Sequence, residues 1–110
     1  MKKKNRVKKS YEFQKLIHTG KKIVNSSFAL YFTEKAEDES RIGITLSRKI
    51  GNAVERNLIK RQVRMMCQDL IPVKTYAYDI IIIVRFGYKS LSFLENKNNL
   101  EKLLIKATIK

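Results

Sequence analysis

Apolar residues recur along this chain with two periods, and each change of period marks an element. Phe13, Leu16 and Ile17 stand at i, i+3 and i+4, the spacing of one face of a helix. Ser10 is placed to cap that helix with Glu12 in its first turn, and Gly20 to close it. From Ile23 the period becomes two. Phe28, Leu30 and Phe32 alternate with Ala29, Tyr31 and Thr33, and Ile42, Ile44 and Leu46 with Gly43, Thr45 and Ser47. Each run predicts a strand with one greasy side and one small or polar side. The polar stretch Glu34 to Ser40 between them reads as a hairpin loop, which puts Tyr31 beside Thr45 and Ser47.

Gly51 allows a sharp exit from the strand, and Asn52 with Glu55 has the spacing of a helix cap. A helix is therefore expected from residue 52 to about 70, with Ile59, Val63, Met66 and Leu70 facing the core. Pro72 stops it. Tyr78 to Arg85 is apolar at nearly every position and rich in β-branched residues, the pattern of a strand buried on both faces. Gly87 ends that strand. Ser92 and Glu95 have capping-box spacing ahead of the stripe Leu100, Leu103, Leu104 and Ala107. Asn96, Asn98 and Asn99 weaken the start of this last helix.

The order is helix, two or three strands, helix, strand, helix, which implies an α+β sandwich of helices on a small sheet. Strands joined through the middle helix should be parallel, with a right-handed crossover as the default on physical grounds.

The chain of 110 residues has the size of one domain. Its 24 Lys and Arg against 10 Asp and Glu give a net charge of +14. Self-repulsion of that size weakens the compact state and points to a polyanionic partner, nucleic acid before an anionic membrane. The longest apolar run, Ile80 to Val84, is too short to span a bilayer. Six of the first nine residues are basic, so residues 1–9 read as a flexible arm. No apolar stretch follows them, so export is not expected. The single cysteine, Cys67, has no partner for a disulfide and suits a reducing cytoplasm. The loop from Glu34 to Ser40 holds four of the ten acids and reads as a solvated loop that repels misplaced RNA, rather than as a cation site.

The middle helix carries the informative charges. Arg56, Lys60 and Arg64 recur every four residues, with Asn57 and Arg61 beside them and Glu55 as the one nearby acid. Like charges at that spacing cost an isolated helix roughly 0.2 to 0.5 kcal/mol per pair. A polyanion lying along the helix explains the stripe better than a merely solvated surface does, because guanidinium groups grip phosphates two bonds at a time.

Catalytic groups are sparse. Hydrolysis of a phosphodiester by the protein would need clustered carboxylates for metal ions or a histidine pair. His18 is the one histidine, Asp69 and Asp79 have no acidic neighbour in sequence, and Cys67 reads as a buried structural thiol. On charge alone a ribosomal-RNA-binding protein fits equally well. A stand-alone nuclease fits poorly.

The run Gly-Asn-Ala-Val-Glu-Arg-Asn-Leu-Ile-Lys-Arg-Gln-Val-Arg, residues 51–64, closely resembles the signature helix of the bacterial ribonuclease P protein family, its Arg-Asn-Arg motif. The likeness extends to the basic start, Phe13 before Gly20, the Tyr31 strand and the strand from Tyr78 to Arg85. It implies a two-layer α+β sandwich with a small mixed sheet, order α-β-β-β-α-β-α. It also implies a left-handed crossover in place of the default.

The resemblance further implies that Arg56, Asn57, Lys60, Arg61 and Arg64 contact the catalytic RNA, with Arg48 and Lys49 near RNA or the substrate leader. A cleft between the first helix and the sheet would hold the 5′ leader of precursor tRNA. Phe13 and Tyr31 match its aromatic positions. Ile17 stands where a second helix aromatic is expected, and an aliphatic side chain offers no aromatic face. The implied activity is that of the protein subunit of an endoribonuclease whose catalytic centre lies in the RNA. Mg2+ would be bound mainly by that RNA and the substrate, with no catalytic or metal-binding residue in this chain. The implied partners are the catalytic RNA and precursor tRNA, with no membrane and no requirement for a protein oligomer.

Overall fold

A computed structural model describes residues 3–7 and 10–109. In chain order these form α1 (Ser10–Thr19), β1 (Lys21–Val24), β2 (Phe28–Glu34), β3 (Ile42–Leu46), α2 (Ala53–Leu70), β4 (Tyr78–Val84) and α3 (Phe93–Ile109). Short 3-10 turns occupy Lys3–Asn5, Arg48–Ile50 and Phe86–Ser90. The expected α-β-β-β-α-β-α order is observed. Ser10, expected as a cap, is instead the first residue of α1.

The four strands lie in the order β1-β2-β4-β3, antiparallel except for the parallel pair β3 and β4 joined through α2. β4 inserts between β2 and β3, so the stretch from Glu34 to Ser40 is not a hairpin loop. The reason is burial: Ile80, Ile81 and Ile82 are fully enclosed, and a run apolar on both faces takes a central position between two half-polar strands. Tyr31 consequently pairs with Ile81 and with Lys22, and does not lie beside Thr45 and Ser47.

One face of the sheet carries the main core. Phe28, Leu30, Phe32, Ile42, Ile80, Ile82 and Val84 pack there against Ile59, Val63, Met66 and Cys67 of α2 and Leu100, Leu103, Leu104 and Ala107 of α3. Leu70 is only partly buried at the rim of this core. α1 lies across the other face, where the Phe13 ring rests on Gly43. A Cβ at Gly43 would sit 2.8 Å from that ring, so glycine is what lets the ring approach the strand.

Two polar ties fix the helices to the sheet. Arg41 forms ion pairs with Glu12 of α1 and with the buried Asp79 of β4, whose carboxylate also accepts the Arg41 amide at 2.8 Å. Asn5 is buried and donates to the Ser40 carbonyl at 3.0 Å, while Val7 donates its amide to Ile42 at 3.0 Å. Residues 3–7 are thus docked along the free edge of β3, a correction to a wholly flexible arm. The rest of that expected arm lies outside the described residues.

α3 begins with the reciprocal Ser92 and Glu95 bonds, at 3.1 and 3.0 Å. The asparagines after it are not simply poor helix formers. Asn96 is buried, donates to the carbonyls of Tyr88 and Leu91, and accepts the Ser27 hydroxyl at 2.7 Å. Asn99 donates to the same hydroxyl at 2.9 Å. Replacing Asn96 by Ala leaves buried groups unsatisfied and should cost about 2 to 3 kcal/mol, whereas exposed Asn98→Ala should be neutral or slightly stabilising. Urea denaturation of the two variants checks this, and equal midpoints would contradict it.

Candidate nucleic-acid interface

The start of α2 is held on both sides. Asn52 accepts the Glu55 amide at 2.9 Å and donates its own amide to the Glu55 carboxylate at 3.2 Å, a complete capping box. Gly51 has an extended backbone open to any residue, so it is not a conformational requirement. The missing side chain instead leaves room for the Glu55 carboxyl group, which lies 2.9 Å from where a Cβ would stand. Lys89 closes the arrangement, pairing with Glu55 at 3.1 Å and donating to the Ile50 carbonyl at 2.8 Å.

From this anchored start the cations run along the side of α2 that the core leaves open. Arg56 and Lys60 are half-buried, and Asn57, Arg61 and Arg64 are exposed. Among the described residues, none of the four cations in this ridge has an acidic partner. The ion-paired acids are engaged elsewhere: Glu12 and Asp79 with Arg41, Glu39 with Lys4, Glu55 with Lys89 and Asp69 with Lys97. Arg48 and Lys49 are exposed in the 3-10 turn just before α2, where the Ser47 hydroxyl accepts the Lys49 amide at 3.1 Å. They continue the cationic surface from the end of β3 into the helix.

The second predicted group lies on the other face of the sheet. Strand register sets Lys22, Tyr31, Ile81 and Gly43 in one row across the four strands, and the Phe13 ring covers its Gly43 end. Phe13, Ile17 and Tyr31 are all half-buried, while Leu16 between them on α1 is buried. Beyond this row, Val24, Ile83 and Thr45 leave the face partly open. α1 therefore leaves a partly open strip of sheet, a groove along its Phe13 side, with two half-buried aromatic rings, whereas the cavity between α1 and the sheet is lined by Tyr11, Lys15, Thr19, Thr33 and Arg41 and by none of the three predicted residues. Such rings offer stacking surfaces to unpaired bases.

Groups suited to protein-borne catalysis do not converge. His18 is exposed on α1, and burial pushes the Cys67 thiol up to about 12. The described residues bring together no three His, Cys, Asp or Glu that could hold a metal ion. No helix among them is long and apolar enough to cross a membrane.

The sequence matches the Ribonuclease P family model over residues 1–108. The chain belongs to the ribonuclease P protein family. It is 42% identical to the ribonuclease P protein component of Mesoplasma florum, over 96% of this chain and 97% of that one. It is 40% identical to that of Streptococcus agalactiae serotype III, over 94% of each. A solved RNase P protein from Staphylococcus aureus superposes with a TM-score of 0.83 at 37% identity, covering 94% of each chain. One from Thermotoga maritima does so with a TM-score of 0.77 at 30% identity, covering 90% of this chain and 94% of that one. Membership makes the chain the protein component of an endoribonuclease holoenzyme that acts in tRNA 5′-end processing, in a family that works with the RNase P RNA.

Two contributors to these surfaces were not visible in the sequence. Arg41 ties α1 to the sheet across long separations, and Lys22 lies with its ammonium 5.5 Å from the Tyr31 ring centroid. Neither has a sequence signal beyond charge. The alternation in β1 would have placed Lys22 on the Tyr31 face only once the strand pairing was known.

The Asn52 amide first, and then Lys89, hold the Glu55 carboxyl below its ordinary value of 4.5. A depressed carboxyl stabilises the fold fully above its unfolded value and loses that contribution as pH falls through the folded one. Glu55→Gln should therefore lower stability near neutrality and remove part of its decline below about pH 4.5. Urea denaturation across the acid range checks this, and parallel curves for variant and wild type would contradict it.

Proposed function

We propose that the α2 ridge docks on the catalytic RNA while the groove beside α1 holds the single-stranded 5′ leader of precursor tRNA. In this reading the protein stabilises the complex of ribozyme and substrate, and the RNA cuts the leader. The observation that carries it is the unpaired ridge. Among the described residues, Arg56, Lys60, Arg61 and Arg64 have no acidic partner, while Glu12, Glu39, Glu55, Asp69 and Asp79 are engaged with other cations. A structural role alone would have drawn acids to the ridge, whereas a phosphate backbone supplies the missing charge on docking.

The roles divide by chemistry. Arg56, Lys60, Arg61 and Arg64 meet phosphates of the folded RNA, with Asn57 hydrogen-bonding among them. Arg48 and Lys49, exposed in the turn just before α2, meet RNA or leader. Phe13 and Tyr31 stack on leader bases, and Ile17 contributes apolar contact without a ring face. In this reading Mg2+ is bound mainly by the RNA and the substrate. The buried, unpaired Cys67 suits a reducing cytoplasmic setting.

Reconstitution with the cognate RNA tests both halves. Replacing Arg56, Lys60 and Arg64 together by Gln should weaken RNA binding and flatten its salt dependence by roughly 0.7 to 0.9 in log-log slope per lost phosphate contact. An unchanged slope would place the ridge away from RNA. Phe13→Ala should weaken binding of precursor tRNA more than of mature tRNA, because only the precursor has a leader. Equal losses would assign Phe13 to packing alone.

A further inference from the structure

We propose that Lys22 and Tyr31 form a one-nucleotide subsite at the sheet-edge end of the groove. The Tyr31 ring takes a base and the Lys22 ammonium takes the adjoining phosphate of the single-stranded leader. The proposal rests on the groove reading above and extends it to a residue outside both the α2 ridge and α1.

The placement follows from strand alternation. β1 is an edge strand in which Ile23 is buried on the core face, so Lys21 shares that face while Lys22 and Val24 turn toward the groove. Lys22 stands directly opposite Tyr31 in the register, with its Nζ 5.5 Å from the ring centroid. Continuing across the sheet, Ile81 and then Gly43 with the Phe13 ring above it complete the row. The row thus places an exposed cation beside a half-buried ring at its open end, while Ile81 and Gly43 are buried. Among the described residues no carboxylate pairs with Lys22, so its charge is not neutralised by the protein.

That combination matches a nucleotide in an unpaired strand. Every base has a π-face, so stacking on Tyr31 is tolerant of sequence, and a basic neighbour follows the backbone. An ammonium is a compact charge with three rotatable donors, suited to a single phosphate. The contact between Lys22 and the exposed side of the ring is of a weak class at such sites, so an incoming base can displace it.

The plain alternative is that Lys22 only guards an edge strand against pairing with another chain. Lys21 supplies the internal control, because it has the same charge on the same edge but the opposite face. The experiment measures binding of precursor and mature tRNA to holoenzyme reconstituted with the cognate RNA, across a salt series. The protein carries Lys22→Gln, Lys22→Arg or Lys21→Gln.

Lys22→Gln is expected to flatten the precursor slope by about 0.7, one single-strand phosphate, which at about 0.1 M salt against a 1 M reference is a loss of about fivefold. Mature tRNA binding should be unchanged, Lys22→Arg should restore the precursor, and Lys21→Gln should leave it near wild type. Equal effects of Lys21→Gln and Lys22→Gln, or equal losses for precursor and mature tRNA, overturn the subsite. If Phe13→Ala separates precursor from mature tRNA and Lys22→Gln does not, the subsite fails while the groove reading stands. If neither variant separates them, both fail.

Discussion

Four consecutive isoleucines, Ile80 to Ile83, cannot be left in water on either side of a strand, and the rest of the molecule is arranged around that constraint. Burying them puts β4 in the interior of the sheet, between β2 and β3. β3 then runs parallel to β4, and a parallel neighbour requires a long connection, which α2 supplies. The helix with the cations is therefore the crossover itself. Its apolar side is committed to the core by Ile59, Val63, Met66 and Cys67, and this commitment orients the ridge outward.

The second face of the same strand shapes the groove. Ile81 is fully covered on that face, whereas Val24, Ile83 and Thr45 farther along it stay partly open. Gly43 lets the Phe13 ring settle against β3, while Arg41 ties Glu12 on the helix to Asp79 on the strand. What remains uncovered is a strip of sheet with aromatic and aliphatic side chains beside an exposed lysine. A fully covering helix would have made a more conventional core and no groove.

Charge is partitioned with similar economy. A net charge of +14 is a burden on a domain this small, and the ion-paired acids are placed where they secure structure. Asp79 and Glu12 hold α1, Glu39 holds Lys4 of the docked N-terminal segment, and Glu55 caps α2 while pairing with Lys89. Among the described residues no acid pairs with the ridge cations, and the one beside them, Glu55, is engaged by Lys89. Repulsion along the ridge costs little per pair in water, and binding of a polyanion removes it.

Much of this was legible in the order of residues. Alternation in Phe28 to Thr33, the capping pairs Asn52 with Glu55 and Ser92 with Glu95, and the helical stripes of α2 and α3 are local patterns, set by geometry within a few residues. So is the cationic stripe, whose spacing puts it on one side of a helix whatever that helix packs on. Strand order was not legible. Nothing between Glu34 and Ser40 says that a strand nearly forty residues later will separate β2 from β3, because which strand takes the centre is decided by competition among distant faces for burial. The partners of Asn96, Arg41 and Lys22 escaped for the same reason: their bonds cross from one element to another, and a side chain's neighbour in space is fixed only when the sheet has closed.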